Sequence, residues 1–260
     1  MGRNRPHNHV SINVALYGRP RRWAMTERGE DQLMQTGDSF HVGASSFVWD
    51  KDGLTIEIEE RSVPDFRRLK GRVRVLPKAI VDTEFLLSPE TNQSWWPIAP
   101  LGRIDVEFEQ PALKWSGSGY LDSNSGDAML EEGFVRWDWS RCELPEGALL
   151  SYAGHRLNGA PFALGLSIDQ QGRIEEREVP PSQRLPKTLW QIDRRSPVYP
   201  GSFSKIVKTL EDTPFYARSL IEQEVSGGRH LAMHETLDCR RFANPIVKAM
   251  LPFRMPRKTW

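Results

Sequence analysis

LGRIDVEFEQPALKWSGSGYLD, residues 101–122, decides the fold. Ile104, Val106 and Phe108 alternate with Asp105, Glu107 and Glu109, and successive side chains of an extended backbone point to opposite faces. An apolar face backed by an acidic one marks a half-buried strand of an antiparallel sheet. Ile56 and Ile58 against Thr55, Glu57 and Glu59 repeat the habit, as do Phe162, Leu164, Leu166 and Ile168. Lys51-Asp52-Gly53, Asn158-Gly159 and Gln171-Gly172 supply hairpin turns. Helical periodicity is scarce, its best stretches being residues 202–212 and 245–251. Nineteen prolines suit an architecture of many edges and corners.

The expected fold class is all-β, with strands in two groups on either side of Gln110-Pro111. Two antiparallel barrels or sandwiches packed together follow, with domains at 1–111 and 112–260 and a site at their junction. The first ordered segment is expected at residues 10–17, directly after a short loose tail that holds His7 and His9.

Composition narrows the function. At 260 residues and 38% hydrophobic the chain can bury one large or two small cores. Its net charge of +1, from 35 basic and 34 acidic side chains, gives no long-range field to gather nucleic acid. Cys142 and Cys239 form no CxxC pair, so a reducing compartment is the default. No apolar run reaches the roughly 18 residues of a spanning helix, and MGRNRPHNHV does not resemble a signal peptide. The six histidines form no compact metal motif, so no metal is expected; His230 and His234 share one face of a strand across RHLAMHETLD. No GxSxG elbow and no phosphate-binding glycine pattern is present. Basic clusters at residues 19–22, 67–70 and 254–258, with Trp23 and Trp260 beside them, suit solvated faces or contact with an anionic bilayer.

Residues 113–141 concentrate the chemistry. Trp115, Tyr120, Trp137 and Trp139 lie there with Asp122, Asp127 and Asp138. A carboxylic acid walled by aromatic rings has its neutral form favoured by burial, while the ring faces favour a nearby cation. On an extended strand Tyr120 and Asp122 share a face, and Gly117 and Gly119 clear the other. The same residues also suit a glycine-rich strand that Asp122 merely caps, and a Trp137/Trp139 stripe also suits a plain core. Trp95 and Trp96, adjacent in sequence, must point to opposite faces if extended.

With these residues in view, the sequence resembles the carotenoid 1,2-hydratase (hydroxyneurosporene synthase) family of phototrophic bacteria. The resemblance runs through HVSINVALYG (9–18), RRWAMTERG (21–29), WPIAPLGRIDVEF (96–108), PALKWSGSGYLDSNSGD (111–127), FVRWDWSR (134–141), MHETLD (233–238) and LPFRMPR (251–257). It implies a lipocalin-like double-barrel fold, here shortened in the first barrel at its N-terminal side. It also implies hydration of the terminal 1,2 double bond of acyclic carotenes such as neurosporene and lycopene, without a cofactor. By position, Tyr120 and Asp122 match the family's Tyr-x-Asp pair, with Asp122 as proton donor, and Trp95 matches its functional tryptophan. Gln93 stands where relatives often carry a histidine; glutamine can hydrogen-bond water but cannot shuttle a proton. Gln93, Trp115, Asn124, Trp137 and Trp139 complete the expected substrate-binding set. The implied partners are an acyclic carotenoid, water and a peripherally contacted membrane, with a cytoplasmic location at the inner photosynthetic membrane. A non-catalytic polyene carrier and a related enzyme of the same fold remain the competing readings.

Overall fold

The computed structural model describes residues 5–257. Lys258 and Trp260, the end of one basic-aromatic cluster, lie outside the described residues, as do the first four residues of the N-terminal tail. The chain forms two compact units, one built from residues up to 77, residues 102–120 and residues from 249 on, the other from 78–101 and 121–248.

In the first unit β1 (Val10–Leu16) and β2 (Arg22–Arg28) make a two-stranded ribbon. β3 (Leu33–Gln35), β4 (Ser39–Val42), β5 (Ser45–Asp50), β6 (Gly53–Arg61) and β7 (Arg68–Pro77) form an antiparallel meander. The chain then passes through β8 (Phe85–Ser88), β9 (Gln93–Gln110) and β10 (Ala112–Ser125), and the sheet order is β10-β9-β7-β6-β5-β4-β3, with β8 paired to β9. Ile12, Val14, Ala24, Val42, Ile58, Leu69, Val106 and Phe108 make the core of this unit, with Ile56 and Ile104 packed against it. Glu57, Glu107 and Glu109 face outward and pair with Arg72, Lys114 and Lys70. Such exposed pairs contribute about 0–1 kcal/mol each; the period-two pattern stabilises the sheet through its apolar side.

Glu60 falls on the same alternate set as Ile56 and Ile58, and it is buried. Arg28 Nη2 donates to its Oε2 at 2.8 Å and Ser45 Oγ to its Oε1 at 2.8 Å. Gly43 sits at φ +62, where a Cβ would lie 2.5 Å from Arg28 Nε, so the guanidinium needs glycine there on both counts.

The expected loose tail is instead structured from Arg5 onward. Pro6–Asn8 make a turn of 3-10 helix, Arg5 pairs with Glu30, and Glu27 holds His9 at 3.1 Å. Arg257 Nη2 donates to Asn8 Oδ1 at 3.0 Å. Opposite charges on β2 and at both ends of the chain tie the tail down.

The second unit carries α1 (Leu130–Gly133), β11 (Phe134–Leu144), β12 (Gly147–Arg156), β13 (Pro161–Asp169), β14 (Ile174–Arg177), β15 (Ser182–Leu185), β16 (Arg194–Pro197), β17 (Ser204–Asp212), β18 (Tyr216–Val225), β19 (Gly228–Asp238) and α2 (Cys239–Phe242). α3 (Pro245–Arg254) follows near the C-terminus. Its main sheet runs β14-β13-β12-β11-β19-β18-β17, and β15 and β16 form a separate ribbon. The helix expected at 202–212 is the strand β17. Two irregularities, between Ile206 and Lys208 and between Thr209 and Glu211, each shift the alternation by one residue. Bulges of this kind convert a period of two into an apparent helical spacing.

The sheets are also open: among the described residues neither closes into a barrel, because the terminal strands of each order pair on one side only. The architecture is all-β and antiparallel as read, in open lipocalin-like sheets rather than closed barrels. Among the described residues, no helix is long and apolar enough to cross a membrane.

Candidate active site

β11 and β12 pair so that Trp139 opposes Tyr152 and Trp137 opposes Gly154, and Tyr152 opposes Leu164 on β13. Alternate residues of these strands therefore build one aromatic face. Tyr152 lies at its centre, edge-on to Trp137 (centroids 5.3 Å, 63°) and to Trp95 (5.5 Å, 72°), with Phe162 at 6.1 Å. Phe85 reaches Trp95 at 6.1 Å, placed there because Phe85 on β8 pairs with Trp95 on β9. Edge-to-face contacts of this kind are worth about 0.5–1.5 kcal/mol each beyond burial.

Trp95 is completely buried, and its indole Nε1 donates to Asp122 Oδ2 at 2.9 Å. Asp122 is half-buried near the end of β10. Burial, and then the Asp122 charge, push the Tyr152 phenol well above its ordinary value of 10. The phenol thus stays protonated beside the carboxyl and remains a hydrogen-bond donor. Sequence reasoning missed Tyr152, since Trp95 and Tyr152 lie in different sheets and meet only by side-chain packing within the second unit.

The other expected residues divide. Tyr120 shares the Asp122 face of β10 by alternation. Trp96 points away from Trp95 and donates from Nε1 to the Val81 carbonyl at 2.6 Å. Trp137 and Trp139 are buried on β11. Gln93 is buried and its Nε2 donates to the Ala128 carbonyl at 2.6 Å, so the amide anchors the connection between β10 and β11. A Cβ on Gly126 would lie 2.3 Å from that same nitrogen, so a larger residue there would displace the Gln93 amide. Asn124 is exposed, two residues beyond Asp122. Trp115 belongs to the first unit and stands half-exposed.

The opposite face of the second-unit sheet is polar around Asp138 and His234 and apolar further along β11, where Cys142 and Leu144 join a core cluster. Asp138, which separates two tryptophans in the sequence, accepts from Arg136 Nη2 (2.6 Å), Thr236 Oγ1 (2.6 Å) and the Arg195 backbone N–H (3.1 Å). His234 is fully buried 3.8 Å from Asp138, and its Nε2–H donates to the Arg195 carbonyl at 2.7 Å. Desolvation pulls the His234 pKa below its ordinary 6.5, against the opposing pull of Asp138. The unfolded chain therefore binds a proton that the native state refuses. Stability from this group is complete above about pH 6.5 and is lost as the pH falls below it, with a slope of up to ~1.4 kcal/mol per pH unit. Urea unfolding at pH 7.5 and 5.5 checks this: His234→Gln is expected to flatten the loss, and an unchanged slope would assign it elsewhere.

The two cysteines carry no chemistry in this site. Burial pushes the Cys142 thiol up to about 11 and Cys239 up to about 12, so both stay protonated and inert near neutral pH.

Fold and site together define a class: an open, lipocalin-like β protein in which a carboxyl is held by an indole N–H within an aromatic cluster. A solved Nitrosomonas europaea structure, described as a putative AttH, covers 84% of this chain and 77% of its own at a TM-score of 0.55 and 12% identity, a likeness of fold alone. The chain belongs to the carotenoid hydratase CrtC family, whose model it matches over residues 1–260. It is 46% identical over 254 residues to the acyclic carotenoid 1,2-hydratase of Thiocapsa roseopersicina and 41% identical over 255 residues to that of Rubrivivax gelatinosus. Each alignment covers 97% of this chain and 63% of the relative. The Cereibacter sphaeroides acyclic carotenoid 1,2-hydratase is 38% identical over 258 residues, 99% of this chain and 92% of that one.

Proposed function

We propose that the chain hydrates the terminal C1–C2 double bond of acyclic carotenes, with Asp122 as the general acid. The observation that carries this reading is the 2.9 Å bond from Trp95 Nε1 to Asp122 Oδ2 within the aromatic cluster. In the first step the Asp122 carboxyl gives its proton to C2, and the alkene π pair forms the new C–H bond. C1 becomes a tertiary cation. Water then bonds to C1 through oxygen, and the oxonium returns one proton to the Asp122 carboxylate, leaving a tertiary alcohol and the original acid. The sequence is redox-neutral, and its steps need only an acid, a shielded cation and water.

Trp95 orients the carboxyl through its N–H. The aromatic cluster, with Trp137 and Trp139 among its residues, favours the cation by about 1–2 kcal/mol per well-placed ring. Tyr120, on the Asp122 side of β10, steadies the acid, and Asn124 at the solvent end holds the incoming water in preference to Gln93, whose amide nitrogen is engaged. The substrate's insolubility calls for loading from a bilayer, so the protein works at the membrane surface.

Incubation with neurosporene or lycopene in D2O tests the reading. The expected product is a more polar tertiary alcohol with one deuterium at C2. Recovery of bound but unchanged pigment would instead identify a carrier.

A further inference from the structure

We infer that α3 is the docking surface of this protein on an anionic lipid bilayer. The inference rests on the carotene-hydratase reading only for its purpose; the surface is argued from the helix itself.

α3 is a ten-residue helix with Pro252 in its last turn. Pro245 occupies its first turn, and Asn244 Oδ1 accepts from the Ile246 backbone N–H at 2.9 Å, an N-cap bond. Ile246, Met250 and Phe253 fall at i, i+4 and i+7 and so share one face. That face is in solvent: the three side chains are 72%, 47% and 82% exposed, while Val247 and Leu251 on the other side are half-buried. A helix normally buries its apolar stripe, and this one turns three large apolar side chains outward. Leu189, 95% exposed, and Trp190 form a second apolar tip. Arg241 of α2 holds it through bonds to the Trp190 carbonyl (2.6 Å) and the Gln191 carbonyl (3.3 Å).

Charge selects the occupant. Residues 239–257 contain five cations and no acidic residue; Lys248 pairs with Glu131, Arg257 with Glu27 and Arg241 with Asp238, so the surplus positive charge is carried by Arg240 and Arg254. Arg254 lies over the Trp23 ring at 4.5 Å, a contact that attracts the guanidinium without cancelling its charge. Exposed apolar side chains on a helix with a surplus of positive charge match an interfacial helix lying in the headgroup layer of acidic phospholipids. A protein partner would more naturally meet such a stripe with acidic side chains of its own, and a second copy would set the cationic flanks against each other.

Co-sedimentation of the full chain with phosphatidylcholine vesicles, alone or enriched in phosphatidylglycerol, tests this. Binding is expected on the anionic vesicles, weakened by added salt. The exposed-site double variant Ile246→Ser/Phe253→Ser should lower the partition coefficient by about 10-fold or more, with an unchanged far-UV spectrum. Equal binding by variant and parent would overturn the proposal, as would absence of parent binding to anionic vesicles. So would a parent dimer that the variant abolishes while vesicle binding stays constant, which would make the face a self-interface. Turnover separates the two readings: the variant should lose activity on vesicle-embedded neurosporene and keep it on detergent-dispersed neurosporene. Absence of turnover in every format would count against the hydratase reading, while the vesicle binding would still decide the docking.

Discussion

Asp122→Asn is expected to reduce carotene hydration by about 10³-fold or more, the scale of a lost general acid, with the thermal midpoint unchanged. The substitution preserves volume, and the asparagine carbonyl oxygen can still accept the Trp95 N–H that now reaches Asp122 Oδ2 at 2.9 Å. The transferable proton alone is removed. An unactivated alkene is a very weak base, so water cannot readily substitute for a positioned acid. Deuterium incorporation at C2 should disappear with the alcohol. Turnover of Asp122→Asn within a few fold of the parent would remove Asp122 as the acid, whatever the role of the surrounding rings.

The largest stability effect is expected at Arg28. Its guanidinium and the Glu60 carboxylate are almost entirely buried, with side-chain exposures of 4% and 1%. Arg28→Met should cost about 3–5 kcal/mol, because it takes the guanidinium from the buried Glu60 carboxylate and leaves Ser45 Oγ as its remaining side-chain donor among the described residues. Replacing both, as Arg28→Met with Glu60→Leu, should recover most of that loss, since the pair's mutual attraction is largely offset by the cost of desolvating both charges. Urea unfolding of the parent, the single and the double variant measures each step. A single variant that loses less than about 1 kcal/mol would place the pair in an environment as permissive as the surface.

The first unit was legible where one face of a strand meets solvent. Ile56 and Ile58, and Ile104, Val106 and Phe108, alternate with acids because the acids stay in water. Glu60 breaks that rule without a local signal, for its partner Arg28 is 32 residues away. β11 was less legible for a related reason. Trp137 and Trp139 are buried on one face and Ser140, Cys142 and Leu144 are buried too, so no polar side marks the period. Asp138 reads there as one of three aspartates among the aromatics, with no sign of the bonds it gathers from Arg136, Arg195 and Thr236. β17 misled because its two bulges imitate a helical repeat.

For the site, the one-dimensional chain supplied the acid, the indole and the family likeness, since Trp95 and Asp122 sit in long recognisable blocks. It also settled the strand-rich class, because alternation is a local property of neighbouring residues. What folding alone decided was which edge of Trp95 meets the acid, that Tyr152 stands between Trp95 and Trp137, and that Gln93 is bonded to Ala128. Those outcomes depend on side-chain packing between different sheets, which brings Trp95 to Tyr152, and on registers between strands tens of residues apart. A shift of one position in any of them would turn the same side chains to the opposite face, and no stretch of sequence records that shift by itself.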